Sequence, residues 1–403
     1  MHTSKRSAIW GSVAAIIAAG TLVAASATSQ AAPAAKGDHL GTPKFEDQPS
    51  ATGVVSANAI TIPHWGSSFT DPTNGKTYHY TMVGSDPTKG DVSTTVPTVI
   101  IPMNFNFRAT GVSLNGSDKV QATMQSPVFQ SANIGAAANA SASAPPGPPI
   151  SAPGRTVNEP SDVTQLGDAI YRAQFNKTGS GWHSLLGQPT VQRAATIDVP
   201  KNQGFTVVGS SSHATIGLMS YSWFSSKLKN LINTRNISPH VLPIFLVNDT
   251  FLYIGTTDNC CVLGYHGALD SLNGNGRQQV NTYMFASYSV QGVFAPNAGD
   301  TESYIADIHG LSHEVQEWYD DPFVNNEVNP WLTPTAPQYG CTTDLETGDP
   351  MVGYGFKIPM ANGITYHPED EVHYSWFARE SPSRAAQGYY TYLNNFADVA
   401  SGC

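Results

Sequence analysis

The sequence is organised around residues 307–322, which read DIHGLSHEVQEWYDDP. Read as a helix, this stretch turns the apolar side chains of Ile308, Val315 and Trp318 to one side, because residues three and four apart share a helical face. Pro322 lacks a backbone N–H and stops the helix. The stretch therefore predicts a single helix with ionisable residues on the side opposite its apolar face.

That opposite side carries a His-Glu-x-x-Glu pattern at residues 313–317. His313 and Glu317 lie one helical turn apart, so their side chains converge as two ligands of one metal ion must. Glu314 lies beside the first ligand and off the ligand axis, where it is placed to take a proton from metal-bound water. The pattern is that of His-Glu-x-x-His zinc hydrolases, with Glu317 in place of the second histidine. The competing interpretation is a surface helix that carries these residues without any metal.

A catalytic zinc site needs a third protein ligand and an open position. The candidates are Glu346, in the segment YGCTTDLETGDP at 339–350, and His367, in the segment YHPEDE at 366–371. The alternative for Glu346 is a solvated loop carboxylate, and the alternative for His367 is a surface or structural histidine. His309 lies on the same helix but a further turn back, at a poorer angle. The residues alone leave the choice between Glu346 and His367 open.

Hydrolysis of a carbonyl compound also needs a hydrogen-bond donor for the oxyanion. His266, Tyr319 and Tyr366 are candidates, although each of these residue types is more often a packed aromatic or turn residue. Together with Glu314, His266 and Tyr366 complete the predicted catalytic set.

The composition favours an exported protein that binds no nucleic acid. Only 12% of the residues are charged, the net charge is −10, and no basic block stands out. Residues 1–31 are predicted to be a signal peptide, because Lys5 and Arg6 precede an apolar run that ends in small residues. The alternative for these residues is an uncleaved membrane anchor. No other stretch of the sequence is long and apolar enough to span a bilayer. We therefore expect a secreted, extracellular or periplasmic protein, free of the membrane after cleavage, that acts on a peptide or protein substrate.

The order of the predicted elements indicates an α+β fold. Residues 32–132 form a β-rich N-terminal part, residues 133–157 are an Ala/Ser/Pro/Gly-rich loop or linker, and residues 158–403 hold the metal site. We expect the last part to form one body with the N-terminal strands. The expected architecture is a mixed β-sheet beside the metal-binding helix, as in zincin-like hydrolases.

Four segments define this architecture further. Residues 95–102 (TVPTVIIP) are nearly all apolar and predict a buried central strand. Residues 240–247 and 251–254 predict two strands of a hairpin around the intervening Asn-Asp pair. Residues 162–175 have the apolar spacing of a helix.

Four cysteines follow the predicted signal peptide: Cys260, Cys261, Cys341 and Cys403. An even number in an exported protein predicts two disulfides. A bond between the adjacent Cys260 and Cys261 would be strained, so we expect each of them to pair with one of the two distant cysteines. A thiolate metal site is the alternative, but the sequence has no Cys-x-x-Cys pair.

Three short motifs follow the start of the helix in this order: Asp-Pro at 321–322, Asn-Pro-Trp at 329–331 and LETGDP at 345–350. With the His-Glu-x-x-Glu helix, they resemble the core of the plant Exordium (phosphate-induced protein) family. The longer frame, which includes GYHG at 264–267, is similar to that of exported bacterial proteins with the same core.

The resemblance covers about a tenth of the chain. It implies a zincin-like metal site in which His313, Glu317 and Glu346 are the ligands, and it connects the chain to growth and the cell wall. It implies no particular substrate. The Leu345-Glu346-Thr347 run departs from the Glu-Ile pair of the family. The match of Glu346 to the third ligand of the family is therefore weaker than the matches of His313 and Glu317.

Two functions are consistent with these observations. The first is a secreted zinc-dependent hydrolase, in particular a peptidase, in which water deprotonated by Glu314 attacks a carbonyl group. The second is an exported cell-wall-associated or binding protein whose metal is structural or whose site is degenerate. The glutamate at position 317 favours the second function, because its charge weakens the Lewis acidity of the ion.

Overall fold

The computed structural model describes residues 55, 58–141, 162–209, 211–294, 304–334 and 340–403. The predicted signal peptide and residues 142–157 of the predicted linker lie outside this part of the chain. The described residues belong to one compact unit. None of the helices they form is long and apolar enough to cross a membrane.

The strands, in chain order, are β1 His64–Thr70, β2 Thr77–Val83, β3 Ser93–Val96, β4 Thr98–Phe107, β5 Val112–Asn115, β6 Ala132–Asn133, β7 Val163–Thr164, β8 His183–Leu186, β9 Thr190–Val191, β10 Ala195–Val199, β11 Gly204–Val208, β12 Thr215–Ser220, β13 Leu242–Asn248, β14 Thr250–Tyr253, β15 Cys260–Val262, β16 Gly264–Leu272, β17 Gln278–Tyr288, β18 Glu327–Leu332, β19 Cys341–Asp344, β20 Ile358–Pro359 and β21 Thr365–Tyr366. The helices are α1 Val120–Met124, α2 Ile134–Ser141, α3 Leu166–Gln174, α4 Tyr221–Thr234, α5 His309–Asp320 and α6 Tyr374–Ala378.

The largest sheet has the strand order β10-β4-β13-β17-β16, and β5 and β9 also pair with β4. Strands β10, β4, β13 and β17 pair in parallel, whereas β16 pairs with β17 in the antiparallel direction. A second sheet has the order β11-β12-β14-β15. The α+β class and the mixed sheet predicted from the sequence are therefore confirmed.

Both faces of the centre of the largest sheet are buried, which explains why β4 and β13 consist mostly of apolar residues. Successive side chains of a strand point to opposite faces. Ile100 of β4 accordingly lies in the same hydrophobic core as Val315 of α5, whereas its neighbour Ile101 lies in a second core with Phe224 of α4. Residues 98–102 thus form the first half of the buried central strand that the sequence predicts, whereas residues 95 and 96 belong to β3, which pairs with β8 in a separate sheet.

Helix α5 is fixed against β16, β17 and α3. Trp318 Nε1 donates a hydrogen bond to Thr282 Oγ1 of β17 at 3.0 Å, and the Tyr319 ring stacks on Tyr171 of α3 with ring centroids 5.2 Å apart. The two helices approach closely at Gly167, where a Cβ atom would lie 2.6 Å from Tyr319 Cε2. The predicted metal helix is therefore held on a rigid scaffold.

The predicted hairpin at 240–254 is wrong. Strands β13 and β14 do not pair with each other: β13 lies between β4 and β17 in the large sheet, and β14 lies between β12 and β15 in the second sheet. Asp249 connects them with a left-handed φ of 43°, a conformation that Asp and Asn tolerate better than most residues. Its carboxylate accepts a 2.6 Å hydrogen bond from Val290 N, which fixes the step from one sheet to the other.

Two further expectations need correction. Residues 134–141, assigned to the linker, form α2, and Ile134 at its start is buried. The disulfides join Cys260 to Cys261 and Cys341 to Cys403. The second pairing follows from the path of the C-terminus, because Gly402 forms a β-bridge to Trp331, whose neighbour Leu332 pairs with Cys341 in the β18–β19 ladder.

Asp249 predicts a pH-dependent stability. Burial raises the pKa of its carboxyl group to about 6, against an unfolded value near 3.8. The native state therefore favours the protonated form, so the contribution of this group to stability is greatest below pH 4 and is lost as the pH rises through 6, by about 3 kcal/mol for two pKa units. Asp249→Asn keeps both the left-handed conformation and the acceptor, so we expect it to unfold at higher urea concentration than the wild type at pH 8. The two proteins should unfold alike at pH 4, and an equal difference at both pH values would contradict this account.

Candidate metal centre

The candidate site lies where four segments meet: α5, β16, the turn after β19 and the segment 367–371. All 12 residues of α5 are buried, including its histidines and glutamates. The interpretation of this stretch as a surface helix is therefore wrong, and its ionisable side chains face protein on every side.

His313 is held by carboxylates on both ring nitrogens. Its Nδ1 lies 3.1 Å from Glu369 Oε2, and its Nε2 lies 2.9 Å from Glu317 Oε1 and 3.9 Å from Asp349 Oδ1. Glu369 is itself fixed, because its backbone N–H donates to Ser312 Oγ at 3.0 Å and its Oε2 lies 2.9 Å from His309 Nε2. A carboxylate on one ring nitrogen that leaves the other for an ion is the usual surrounding of a metal-binding histidine.

His266 of β16 also has both ring nitrogens in contact with oxygen atoms. Its Nε2 donates a 3.0 Å hydrogen bond to the backbone carbonyl of Asp321, which can only accept. Its Nδ1 faces two carboxylates, 3.3 Å from Glu314 Oε2 and 3.7 Å from Glu317 Oε2. The ring N–H is thus engaged with the backbone, so the predicted role of His266 as a donor to an oxyanion has no support from its position.

Glu317 is the centre of the arrangement. Its Oε1 accepts hydrogen bonds from the backbone N–H groups of Gly348 and Asp349, at 3.2 and 3.3 Å. Among the described residues, two sets of three ligand atoms lie within 4.8 Å of one another: His266, Glu314 and Glu317 form one, and His313, Glu317 and Asp349 form the other. Glu317 belongs to both.

Of the five residues that form the two sets, only Asp349 is exposed to solvent. The side chain of Asp349 is 31% exposed, whereas His266, His313, Glu314 and Glu317 are each at most 2% exposed. Solvent therefore reaches this centre from the Asp349 side.

The local electrostatics follow from this burial. Burial by itself lowers the pKa of His313, but the carboxylates of Glu317 and Glu369 outweigh it and hold the pKa well above its ordinary value. For Glu317 burial raises the pKa, but the charges of His313 and His266 reverse this and lower it. Burial lowers the pKa of His266, so its neutral ring is favoured. The structure thus concentrates negative charge on Glu317 between two imidazole rings.

Glu346 is close to this centre but is not part of either set of ligand atoms. Its side chain is 1% exposed, and a hydrogen bond between it and Glu317 lowers the pKa of Glu317. Asp349, three residues further along the same turn, takes the position beside His313 instead. Asp349, rather than the predicted Glu346, is therefore the third potential ligand beside His313 and Glu317. Glu346 instead forms a hydrogen bond with Glu317.

Three other residues predicted to belong to the site form hydrogen bonds outside it. His367 Nδ1 lies 2.7 Å from Asp307 Oδ2, and neither set of ligand atoms in the described residues includes it. The Tyr366 hydroxyl donates to the carbonyl of Ala122 at 2.7 Å, and the Tyr319 hydroxyl donates to that of Ser184 at 2.8 Å. These bonds hold His367 and the two tyrosines in structural roles, so their predicted roles as ligand and oxyanion donors have no support.

Glu369 and Glu371 are site residues that sequence reasoning missed. Both are fully buried, and the charges of Glu369, His313 and Glu317 all act on Glu371. Burial, with the charge of Glu369 in addition, raises the pKa of Glu371 well above its ordinary value. The available signal was the acidic triplet at 369–371 in a chain with few charged residues.

Comparisons of this chain with protein-family models, with curated proteins and with solved structures find no match. The resemblance to the Exordium family therefore stays a prediction, and the site must be interpreted from its own geometry.

A test of this geometry is available at Gly348, whose hydrogen faces the His313 ring. A Cβ atom there would lie 2.7 Å from His313 Cγ, with ring atoms closer still. We expect Gly348→Ala to displace the imidazole and to reduce the free energy of unfolding by about 1–3 kcal/mol. The control is Gly274→Ala, where a Cβ atom would meet nothing within 4 Å. Equal urea midpoints for the two variants would contradict the close packing around His313.

Proposed function

We propose that this chain is an exported metal-dependent hydrolase, with zinc as the metal and a peptide or protein as the substrate. The observation that supports it most is the group formed by the buried His313 and Glu317 with the partly exposed Asp349, and with Glu369 behind His313. Export is supported by the predicted signal peptide and by the two disulfides.

The distances in this group suit zinc. Ligand atoms about 2.1 Å from a tetrahedral ion lie about 3.4 Å apart. The distances from His313 Nε2 to Glu317 Oε1 and Asp349 Oδ1, 2.9 and 3.9 Å, lie on either side of that value. Three protein ligands leave one position of a tetrahedron open, and the exposed edge of Asp349 gives a route to it.

In such a site, a bound zinc ion polarises the carbonyl group of the substrate and makes water easier to deprotonate. The protein supplies the proton acceptor. Glu314 takes a proton from the attacking water, and His266 Nδ1, 3.3 Å from Glu314 Oε2, is placed to share it. As the bond from the carbonyl carbon to the amide nitrogen breaks, the same proton passes to the departing amine.

A peptide is the favoured substrate because the related His-Glu-x-x-His pattern is typical of zinc metalloproteases. Strand β16 carries His266 and is the last strand in the order of the large sheet. Residues 264–268 of this strand are buried, so an extended peptide can add to it only at its exposed end, residues 271 and 272.

The alternative function is a structural metal in a wall-associated or binding protein. The observation that favours it is burial, since four of the five residues that face the centre are at most 2% exposed. A structural ion holds the fold and needs no open position. Hydrolysis assays separate the two functions, because both bind metal.

The proposal predicts the effect of removing one carboxylate. We expect Glu314→Gln to lower the rate of casein or peptide-library hydrolysis by about 10²- to 10⁴-fold, because the proton acceptor is lost. The variant should still hold zinc at His313. The matched control is Glu327→Gln, which changes a glutamate whose side chain is 72% exposed and should leave the rate unchanged.

Two results would speak against catalysis by this group. Full hydrolytic activity in Glu314→Gln would exclude Glu314 as the proton acceptor. A zinc-loaded wild-type protein that hydrolyses no peptide in the library would favour the structural alternative.

A further inference from the structure

We infer that the centre holds two divalent cations, bridged by the carboxylate of Glu317. The inference rests on the proposed metal binding and extends it, since His313 and Asp349 complete one position and His266 and Glu314 complete the other.

The first step of the argument is that the two oxygens of Glu317 face different histidines. Oε1 is 2.9 Å from His313 Nε2, and Oε2 is 3.7 Å from His266 Nδ1. A carboxylate that presents one oxygen to each of two nitrogen ligands has the arrangement of a bridge between two ions. Bridged ions in hydrolases lie about 3.5–4 Å apart.

The second step concerns the atoms that meet at His266. Because its Nε2 donates to the carbonyl of Asp321, the Nδ1 of the neutral ring presents a lone pair. That lone pair faces Glu314 Oε2 and Glu317 Oε2, which are acceptors when ionised. A proton between Nδ1 and Glu314 satisfies one of these two contacts, whereas a cation can be bound by all three atoms, Nδ1 and the two carboxylate oxygens. A cation is therefore the better occupant of this position.

The third step is that one ion cannot use both histidines as the side chains stand. No set of ligand atoms within 4.8 Å of one another, among the residues that the structure describes, contains both His266 and His313. Each histidine has instead its own carboxylate, Glu314 or Asp349, and shares only Glu317. Two complete sets of three ligands predict two positions.

The fourth step is the balance of charge. Glu371 is fully buried, and neither of its carboxylate oxygens has a hydrogen-bond partner among the described residues. Across the same part of the chain, no lysine or arginine forms an ion pair with Glu317, Glu369 or Glu371. Buried carboxylates need compensating positive charge. Among the described residues, the side chains that form ion pairs with Glu317 and Glu369 are histidines, so a cation at each position adds to their compensation.

The ligand types define the class of ion. Imidazole nitrogens and carboxylate oxygens without any thiolate suit zinc and manganese and disfavour soft ions such as copper(I). In the two-ion centre Glu314 ligates the second ion, so the role of proton acceptor given to it in the proposed function would apply only to the protein with one bound ion. Loss of hydrolysis in Glu314→Gln follows from either role, so the number of bound ions, rather than activity, tests the inference.

The test is the zinc content of the purified full-length protein. Apoprotein prepared with a chelator is reloaded with zinc chloride, freed of excess metal and measured by inductively coupled plasma mass spectrometry. We expect two ions per chain in the wild type and one in both His266→Ala and Glu314→Gln. His79→Ala, which removes an exposed histidine, is the control and should keep two.

The outcomes separate this inference from the proposed function. One ion per chain in the wild type, lost in His313→Ala and kept in His266→Ala, would overturn the two-ion centre and leave the proposed function intact. No bound zinc in the wild type would overturn both.

A second measurement needs no variant and so does not depend on the folding of one. Manganese-loaded wild-type protein should give the electron paramagnetic resonance spectrum of two exchange-coupled ions, because a shared carboxylate holds them close together. The six-line spectrum of an isolated manganese ion at full loading would contradict the bridge.

Discussion

The structure depends on the burial of Glu317 between two imidazole rings. An ionised carboxylate away from water is stable only with opposite charge and hydrogen bonds around it. Oε1 receives two backbone N–H groups and faces His313, and Oε2 faces His266. These contacts bring together α5, β16 and the turn after β19, so the C-terminal half of the chain is arranged around one side chain.

This constraint explains how the rest of the centre is built. Both histidines have one nitrogen fixed by another group, Glu369 for His313 and the carbonyl of Asp321 for His266. Glycine allows Glu314 to pack directly against the backbone of β16, since a Cβ at Gly264 would lie 2.7 Å from Glu314 Cγ. Donors held in this way are ready for a cation before it binds, which is the property that metal-dependent catalysis requires. Because the other four residues of the two ligand sets are buried, the exposed edge of Asp349 is where a substrate would approach in the proposed function.

Much of this could be predicted from local sequence. Helical spacing alone brings His313 and Glu317 together, and an unbroken apolar run identifies the central strand. Contacts distant in sequence could not be predicted. The choice of Asp349 over His367 depends on how a turn folds back on α5, and the buried acidic triplet at 369–371 looks like solvated surface in a sequence. The false hairpin has the same origin, because the left-handed Asp249 sends β13 and β14 to different sheets.

The most direct test of this account is a crystal structure with anomalous diffraction data collected on both sides of the zinc absorption edge. The account predicts an anomalous peak about 2.1 Å from both His313 Nε2 and Glu317 Oε1, with Glu369 still bonded to the opposite nitrogen of the ring. A zinc-soaked crystal with no peak there, in which His313 and Glu317 remain in direct contact, would show that a proton alone compensates the buried carboxylate and would contradict the metal centre.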